Sequence, residues 1–588
     1  MTEQAAQGGT VFTIPVGAVK VRSKSKGRQA EPAAVAEVSA LLGEASLRRD
    51  LLIEHLHRIQ DHFGHLSDRH LAALASLMRL ALAEVYEVAT FYHHFDVVRE
   101  GEAAPAALTV RVCGSLSCEM AGARDLLARL PGILGSEVRV IAAPCVGRCD
   151  AAPVAVVHRN PILHATTDAI AQAVASGALE HPASLATDAQ SVKPLDYAAT
   201  VQAAPGHVDY PAYRKAGGYR LAAACARGER KREDIFTLLE TAGLRGLGGA
   251  GFPTGRKWRI VAAEPAPRLM AVNIDEGEPG TFKDRHYLER DPHRFLEGVL
   301  IAAWAVDVAE VYIYLRDEYH GVRALLEQEL ARLHAEPPCR LPVIHLRRGA
   351  GAYICGEESA MIESIEGKRG MPRLRPPYVA QEGLFGRPTL EHNMETLWWV
   401  RDLIERGPQW FASAGRHGRK GLRSFSVSGR VARPGVHVAP AGITLRELID
   451  EHCGGMLDGH TLYAYLPGGA SGGILPASMA DIPLDFDTLN PHGAFIGSAA
   501  VIVLSQHDRA RDAASNMLHF FADESCGQCT PCRVGTAKAV RLMNEARWDP
   551  ALLADLARVM ADASICGLGQ AAPNPFLSVL KHFPEEVA

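Results

Sequence analysis

Eight of the twelve cysteines fall into two sets of four, and the first set has the spacing of a metal site. It consists of two close pairs, Cys113 with Cys118 and Cys145 with Cys149. Four thiolates form a tetrahedral donor set that is typical of zinc or of an iron–sulfur cluster. Structural zinc usually has two residues between the members of a pair, whereas these pairs have four and three. The wider spacing favours a two-iron cluster, with zinc as the alternative.

The second set places three cysteines within seven residues and a fourth far along the chain. Its members are Cys526, Cys529, Cys532 and Cys566. Three thiolates at this spacing suit one face of a cubane cluster, and Cys566 supplies the fourth ligand. Pro531 blocks a continuous helix through the ligands, which leaves backbone amides free to face the sulfurs. A zinc knuckle is the alternative, but no histidine stands at a suitable spacing.

A glycine-rich segment between the two sets has the composition of a phosphate- or ring-binding loop. Gly246, Gly248 and Gly251 match the G-x-G-x-x-G fingerprint, which in a Rossmann fold follows a strand. Residues 235–242 have a helical pattern instead, so a standard Rossmann site is not expected. Bare backbone amides can still approach a phosphate or a flat ring, and Lys257 can neutralise a phosphate. The alternative, a flexible turn, leaves Lys257 unexplained.

Two acidic clusters follow this loop along the chain. The residues of interest in them are Asn273, Asp275, Glu276, Glu278, Tyr353, Gly356, Glu357 and Glu358. Carboxylates beside glycine turns can be metal ligands, a solvated face, or acceptors for ribityl and ribose hydroxyls. The residue types alone leave these three interpretations open.

The composition excludes several functional classes. With 47% hydrophobic and 22% charged residues and a net charge of −5, the chain resembles a soluble globular protein without a general nucleic-acid surface. No apolar stretch is long enough to span a membrane. Twelve cysteines in a long chain without a secretory signal predict reduced thiols in the cytoplasm. The four cysteines outside the two sets are predicted to be small buried hydrophobic residues: Cys225, Cys339, Cys355 and Cys453.

Periodicity and composition divide the chain into six segments of a multidomain α/β protein. We predict a disordered basic leader at 1–45, helices and a strand–helix–strand unit at 46–180, a linker at 181–205, an α/β domain at 206–420, an α+β module at 421–505 and helices at 506–588. The leader carries alternating cations, from Lys20 to Arg28, and docking onto an acidic partner is its alternative role. Strands are predicted at 108–112, 138–141, 154–157, 269–273, 311–315, 343–346, 425–431, 463–466 and 495–504.

Several motifs resemble the peripheral subunits of respiratory complex I. Residues 45–178, with the first cysteine set, resemble its thioredoxin-like [2Fe–2S] subunit. From about residue 240 onward the chain is similar to the NADH-binding FMN subunit, on the strength of the motifs at 246–258, 273–280, 351–358 and 393–396. This resemblance implies a Rossmann-like FMN domain, a β-grasp module at 421–505 and a C-terminal helical bundle with a [4Fe–4S] cluster on the second cysteine set.

The resemblance also implies which residues hold each cofactor. The implied FMN ligands are Gly246, Gly248, Gly249, Lys257, Asn273, Asp275, Glu276, Tyr353, Gly356, Glu357, Glu358 and Asn393. Phe252, Glu278, Arg375 and Tyr378 are implied for the nicotinamide nucleotide. Glu278 and Glu358 are the candidate catalytic residues, because they would position the nicotinamide carboxamide or ribose. The family often has Arg at Leu247, and Lys and Phe at Arg375 and Tyr378.

The three implied cofactors fit a single task. A hydride carries two electrons and iron–sulfur clusters accept one at a time, so a flavin has to lie between NAD(H) and the clusters. A fused chain of this kind is similar to the beta subunit of metal-dependent NAD formate dehydrogenase, with supporting motifs at 49–57, 314–319 and 465–476. The implied partner is a formate-oxidising alpha subunit that contains molybdenum or tungsten and iron–sulfur clusters. Alternatives are the diaphorase of a NAD-reducing hydrogenase, the NADH-input subunit of complex I, and a non-catalytic iron–sulfur scaffold.

Overall fold

The computed structural model describes residues 27–182 and 207–588. The predicted linker lies outside these ranges except for its first two residues, and the predicted leader lies outside them up to residue 26. The prediction of disorder is wrong for Pro32–Leu42, which form a helix. Proline at its start suits the first helical turn. Ala34, Val38 and Leu42 are buried in the core, so the helix is stabilised by packing on one face.

Four helices form the first region, a small bundle. They are α1 (Pro32–Leu42), α2 (Leu52–Phe63), α3 (Asp68–Met78) and α4 (Leu82–Ala89), joined by a two-strand pairing of β1 (Leu66–Ser67) with β2 (Val97–Val98). Gly64 ends α2 in the left-handed conformation. The Ser67 hydroxyl accepts the backbone N–H of His70 and caps α3.

The second region places the first cysteine set at strand ends. Its elements are β3 (Leu108–Cys113), α5 (Leu116–Met120), α6 (Ala123–Leu134), β4 (Val138–Ala143), β5 (Ala155–Val157), β6 (Asn160–Ile162) and α7 (Thr167–Ser176). The sheet has the order β4-β3-β5-β6, with β3 and β4 parallel. The short return strand β6 was not predicted.

The third region is an α/β unit around a parallel sheet of order β10-β7-β8-β9. Its strands are β7 (Arg268–Ile274), β8 (Val308–Leu315), β9 (Val343–Arg348) and β10 (Thr389–Asn393). Its helices are α8 (Tyr210–Lys215), α9 (Arg220–Ala226), α10 (Arg232–Ala242), α11 (Thr254–Ala263), α12 (Lys283–Leu288), α13 (Pro292–Val306), α14 (His320–Ala335), α15 (Glu358–Ile365), α16 (Met394–Arg406) and α17 (Pro408–Ala412). Strand β10 was not predicted.

A mixed sheet and a helical region complete the chain. The sheet has the order β12-β11-β15-β13-β14, from β11 (Leu422–Gly429), β12 (Gly435–Pro440), β13 (Leu462–Leu466), β14 (Leu475–Pro476) and β15 (Ala500–Ser505), with a short helix α18 (Leu445–Glu447) after β12. The last helices are α19 (Ala510–Asp523), α20 (Thr530–Met543), α21 (Pro550–Ala563), α22 (Gly567–Ala571) and α23 (Asn574–His582). The strand predicted over 495–504 begins only at Ala500, because Gly497 and Ala499 adopt positive φ angles.

The bundle is fastened to the α/β unit by buried ion pairs. Arg347 donates to Asp50 at 2.7 Å and to Glu54 at 2.9 Å. Arg348 bonds Asp61 on the bundle and Asp317 beyond β8. Removing one partner of a buried pair leaves an uncompensated charge, so these contacts hold the two regions in one orientation. Of the remaining cysteines, Cys225, Cys355 and Cys453 are buried as predicted, whereas Cys339 is half-buried.

Candidate functional site

A cavity of about 540 Å³ lies where the carboxyl ends of β7 and β10 meet the glycine-rich loop, the mixed sheet and α22. Parallel α/β sheets characteristically bind ligands at this edge. Ten of the predicted site residues line the cavity: Gly248, Gly249, Asn273, Asp275, Glu276, Glu278, Tyr353, Gly356, Glu357 and Asn393. The chain thus brings together residues that are far apart in sequence.

The glycine-rich loop joins two helices, α10 and α11, as the helical pattern before it predicted. A Cβ at Gly248 would come within 3.0 Å of Asn393 Cβ, and Gly249 has a φ of +132°. Side chains at these positions would fill or distort the cavity wall. The loop therefore presents bare backbone to whatever occupies the cavity.

The side chain of Asp275 indicates most clearly that the cavity binds a ligand. Asn273 fixes the loop around it, because its amide donates to Gly356 O at 2.9 Å and its carbonyl oxygen accepts the N–H of Asp275 at 3.0 Å. Asp275 Oδ2 is buried and has no hydrogen-bond partner within the described residues. Burial raises the pKa of this carboxyl well above its usual value. A buried acceptor without a donor is costly, and a ligand hydroxyl or ring N–H would satisfy it.

Glu276 and Glu278 are held by the protein in different ways. Glu276 accepts the backbone N–H groups of Asp284 and Arg285 at 2.8 and 3.1 Å, and thereby caps α12. Burial raises its pKa to about 7. Glu278 accepts the backbone N–H of Ser471 at 3.0 Å and the Ser498 hydroxyl at 3.2 Å. Both carboxylates are therefore preorganised in the cavity wall.

Six predicted site residues do not line the cavity: Gly246, Phe252, Lys257, Glu358, Arg375 and Tyr378. Lys257 Nζ is paired with Glu391 at 3.0 Å, so its charge already has a partner. Arg375 bonds Glu357 and lies 2.9 Å from Glu358. Phe252 and Tyr378 are 40% and 54% exposed. Phe252 and Tyr378 are thus exposed outside the cavity, while Arg375 pairs with both Glu357 and Glu358.

Sequence reasoning missed several residues of the cavity wall: Lys283, Asp284, Ser471, Ser498, Gln570 and Asn574. Lys283 is the most informative, since its buried Nζ contacts Asp284 at 2.7 Å, Glu395 at 3.2 Å and Asn393 at 3.3 Å. The adjacent charged pair directly after the Asn273–Gly280 motif was the available signal. Ser471, Ser498 and Asn574 come from other regions of the chain, and no local sequence pattern marked them as residues of this cavity.

The first cysteine set is enclosed. Strand β3 ends at Cys113, and β4 ends two residues before Cys145. Each of the four cysteine side chains is at most 3% exposed. The sulfurs of Cys145 and Cys149 are 3.4 Å apart. Hydrogen bonds from Cys113 and Cys149, together with the charge of Arg316, hold the pKa of Cys145 well below its usual value. Four converging buried cysteine side chains fit a cluster site.

The second cysteine set lies at two helix starts nearer the surface. Cys529 and Cys566 immediately precede α20 and α22, while Cys526 stands in the loop before α20. These three are half-buried, and Cys532 is 5% exposed. Burial raises the pKa of Cys566 to about 12 and that of Cys532 to about 11. The backbone N–H groups of Leu568 and Gly569, at the start of α22, face the sulfur of Cys566, an arrangement that suits an anionic cluster.

Both cysteine sets adjoin the cavity. Phe282 packs against Cys145 and Cys149, and its neighbours Thr281 and Lys283 line the cavity. On the other side Gly567, directly after Cys566, lines it as well. Phe282 is fully buried and Gly567 is exposed, and each belongs to a short segment that links one cysteine set to the cavity.

Comparison with known proteins identifies the class. Family models match residues 38–177 (thioredoxin-like [2Fe-2S] ferredoxin), 239–402 (Nuo51 FMN-binding domain), 424–475 (SLBB domain) and 512–588 (NADH-ubiquinone oxidoreductase-F iron-sulfur binding region). The molecule is therefore an iron–sulfur flavoprotein with FMN- and NADH-binding, [2Fe–2S] and [4Fe–4S] regions. It is an NAD-dependent, diaphorase-type oxidoreductase subunit.

Individual relatives define the family. NADH dehydrogenase [ubiquinone] flavoprotein 1 of Dictyostelium discoideum is 40% identical over 395 residues, which cover 62% of this chain and 82% of the relative. The NADH-ubiquinone oxidoreductase 51 kDa subunit of Neurospora crassa is 40% identical over 376 residues, covering 60% and 76%. The chain belongs to the family of these NADH-oxidoreductase flavoproteins. A NAD+-reducing [NiFe]-hydrogenase structure in the H2-reduced state matches with a TM-score of 0.77 and 30% identity over 92% of both chains.

The residues present fit these cofactors. The unpartnered Asp275 oxygen and the bare glycine wall suit FMN, and the two thiol sets suit the clusters. When bound, FMN supplies exchange between hydride transfer and one-electron transfer. The predicted fold class and cofactors are confirmed. Within residues 27–182 and 207–588, no helix has the length and apolarity needed to cross a membrane.

Proposed function

We propose that this chain is the NAD+-reducing, NADH-oxidising subunit of a heteromeric formate dehydrogenase. The observation that carries the redox role is the cavity between the two cysteine sets, which adjoins Phe282 on one side and Gly567 on the other. The formate assignment is supported by the resemblance of the motifs at 49–57, 314–319 and 465–476 to the beta subunit of such enzymes. Formate oxidation would then belong to a molybdenum- or tungsten-containing alpha subunit, in the cytoplasm.

We also propose the roles of the site residues. The nine residues of the cavity wall that were predicted for FMN would hold it, with Asp275 accepting from the flavin or its ribityl chain. Phe252, Arg375 and Tyr378, which lie outside the cavity wall, would receive the nicotinamide nucleotide, with Glu278 and Glu358 orienting its carboxamide or ribose. Gly246 and Lys257 would support the loop from behind, since Lys257 is already paired with Glu391. The eight cysteines would be the cluster ligands.

A second candidate is the diaphorase subunit of a NAD-reducing hydrogenase. The hydrogenase structures in two redox states support it, because they match the fused arrangement over 92% of the chain. An NADH-input subunit of complex I is supported by the NADH-oxidoreductase relatives, which match 60–62% of this chain. The three candidates share the same site and differ in the partner.

The native complex distinguishes these candidates. Affinity purification through a tag on this chain, followed by metal analysis and activity assays, should recover molybdenum or tungsten and formate-dependent NAD+ reduction. Nickel with hydrogen-dependent NAD+ reduction would replace the first proposal by the second. Recovery with quinone-reducing membrane subunits would favour complex I.

Glu278→Ala tests the nucleotide site in the purified chain. The substitution removes the acceptor of Ser471 and Ser498 without touching the glycine wall. We expect kcat/KM for NADH-driven dye reduction to fall about 10- to 100-fold while FMN stays bound. Glu229→Ala, an exposed glutamate paired only with Arg227 in the described structure, is the control. Loss of FMN with unchanged nucleotide affinity would refute the assignment, and a wild-type chain without FMN would support the scaffold alternative.

A further inference from the structure

Arg316 lies at the carboxyl end of β8, between the first cysteine set and the cavity. Its buried guanidinium donates through Nη2 to the backbone oxygen of Cys145 at 2.6 Å and through Nη1 to the backbone oxygen of Glu276. One carbonyl belongs to a candidate cluster ligand and the other to the acidic loop of the cavity. A single planar side chain therefore ties the two loops together.

The neighbouring Arg285 reinforces the same loop. Its Nε donates to the backbone oxygen of Gly147 at 2.7 Å, and its Nη2 donates to Asp150 at 3.0 Å. Because Arg285 is already paired with Asp150 and Glu289, its positive charge is largely compensated. Its role at the cysteine loop is thus mainly geometric.

The charge of Arg316 is less fully compensated. Its carboxylate partner in the described structure is Glu318, whose oxygen lies 3.0 Å from Nε and whose side chain is 23% exposed. Water screens the charge of Glu318, while the guanidinium itself is only 4% exposed.

We propose that Arg316 is a positioning residue for electron transfer, which fixes the separation of the cluster loop from the cavity loop and makes the two-iron cluster easier to reduce. Reduction adds one electron, and hence one negative charge, to the cluster. A buried cation hydrogen-bonded to the ligand loop stabilises that added charge. This inference rests on the proposed ligand set of Cys113, Cys118, Cys145 and Cys149, and is independent of the partner's identity.

Two substitutions separate charge from geometry in the purified full chain. Arg316→Gln removes the charge, and we expect the equilibrium constant for reduction of the two-iron cluster to fall about tenfold, which is about 59 mV for one electron. Arg316→Lys keeps the charge but cannot bridge both carbonyls in the same way. It should hold the potential near the wild-type value while FMN dissociates faster on dilution. Redox titration followed by electron paramagnetic resonance (EPR) and flavin fluorescence measure the two effects.

Glu318→Gln should change the reduction potential of the two-iron cluster by a smaller amount and in the opposite direction. It removes the negative charge beside Arg316 from a partly exposed position, so the potential should rise. If Arg316→Gln does not fold, this variant decides: a raised potential supports the inference, and an unchanged or lowered one overturns it. Arg294→Gln is the matched control, because that buried arginine pairs with Asp402 away from the cysteine loops.

The outcomes distinguish this inference from the proposed ligand set. A wild-type chain without a two-iron signal would overturn both. A wild-type signal with a potential that Arg316→Gln leaves unchanged, or changes no more than Arg294→Gln does, would overturn the role of Arg316 alone.

Discussion

The two cysteine sets, which we propose as the cluster ligands, lie in different surroundings. The first is enclosed: Phe282 and Val436 cover Cys145 and Cys149, and Arg316 and Arg285 hold the loop from behind. The second is half-buried at the starts of α20 and α22. The same four-thiol donor set is therefore built once as part of a domain interface and once near the surface.

The difference in burial suits the two sites to different tasks: one to having its potential set by the protein, the other to exchanging electrons with a partner. An enclosed site is shielded from water, so nearby fixed charges act on it strongly and its potential is set by the protein. A half-buried site is approached more closely by other molecules, and electron transfer to a partner needs such proximity. We therefore expect the second set to communicate with the partner subunit and the first to be tuned by this chain.

Serine substitutions give the largest test of the comparison. Cys149→Ser should abolish the two-iron EPR signal, retain the four-iron signal and lower the melting temperature by several degrees, because a cluster on this set would cross-link the loops that follow β3 and β4. Cys529→Ser should abolish only the four-iron signal, with a smaller change in melting temperature.

Cys225→Ser is the matched control, since Cys225 is fully buried and belongs to neither set. It should leave both EPR signals intact. If Cys225→Ser lowers the melting temperature as much as Cys149→Ser does, burial of a hydroxyl explains the loss and the enclosed cluster has no special structural role. Equal losses from Cys149→Ser and Cys529→Ser would also contradict the comparison.

Iron release gives a second test, of intermediate size. With an iron chelator in excess, the four-iron signal of the native chain should decay at least about tenfold faster than the two-iron signal, because solvent access controls attack on the cluster. In a denaturing concentration of guanidinium chloride the two rates should converge. Faster decay of the two-iron signal in the native chain would show that the enclosed site opens.

The sequence predicted those parts of the site that depend on local spacing. The close cysteine spacings, the glycine loop after a helix and the acidic motif at the end of β7 are short patterns that can be recognised within a few residues of the chain. Residue type and spacing indicated where binding residues stand, the family resemblance implied which cofactor each would hold, and the structure brings ten of them to one cavity.

The structural features that the sequence did not predict depend on contacts between residues far apart in the chain. Strand β10 contains Glu391 and His392 and lacks an apolar run; pairing with β7 makes it a strand. Residues 495–499 are apolar enough for a strand, yet they form a loop of the cavity wall. The Glu278 partners Ser471 and Ser498 come from the mixed sheet region, which no local pattern connects to the acidic loop.

The smallest expected effect is the pH dependence of stability near the first, enclosed cysteine set. His437 lies on β12, next to Val436, and is 3% exposed. Burial lowers its pKa to about 4, whereas an unfolded histidine has a pKa of about 6.5. The unfolded chain therefore binds more protons between these values, and stability that is complete above pH 6.5 is lost as the pH falls toward 4. From pH 7 to pH 5 this amounts to about 2 kcal/mol.

Melting temperatures at pH 7 and pH 5 measure this loss. His437→Gln removes the titrating group and should reduce the pH dependence, with the two-iron signal retained at both values. His164→Gln is the control, because that histidine is exposed in the turn after β6, in the region of the first cysteine set. If His437→Gln keeps the full pH dependence, the loss of stability in acid is caused by other groups. One such group is the buried His286, whose pKa is also lowered by burial.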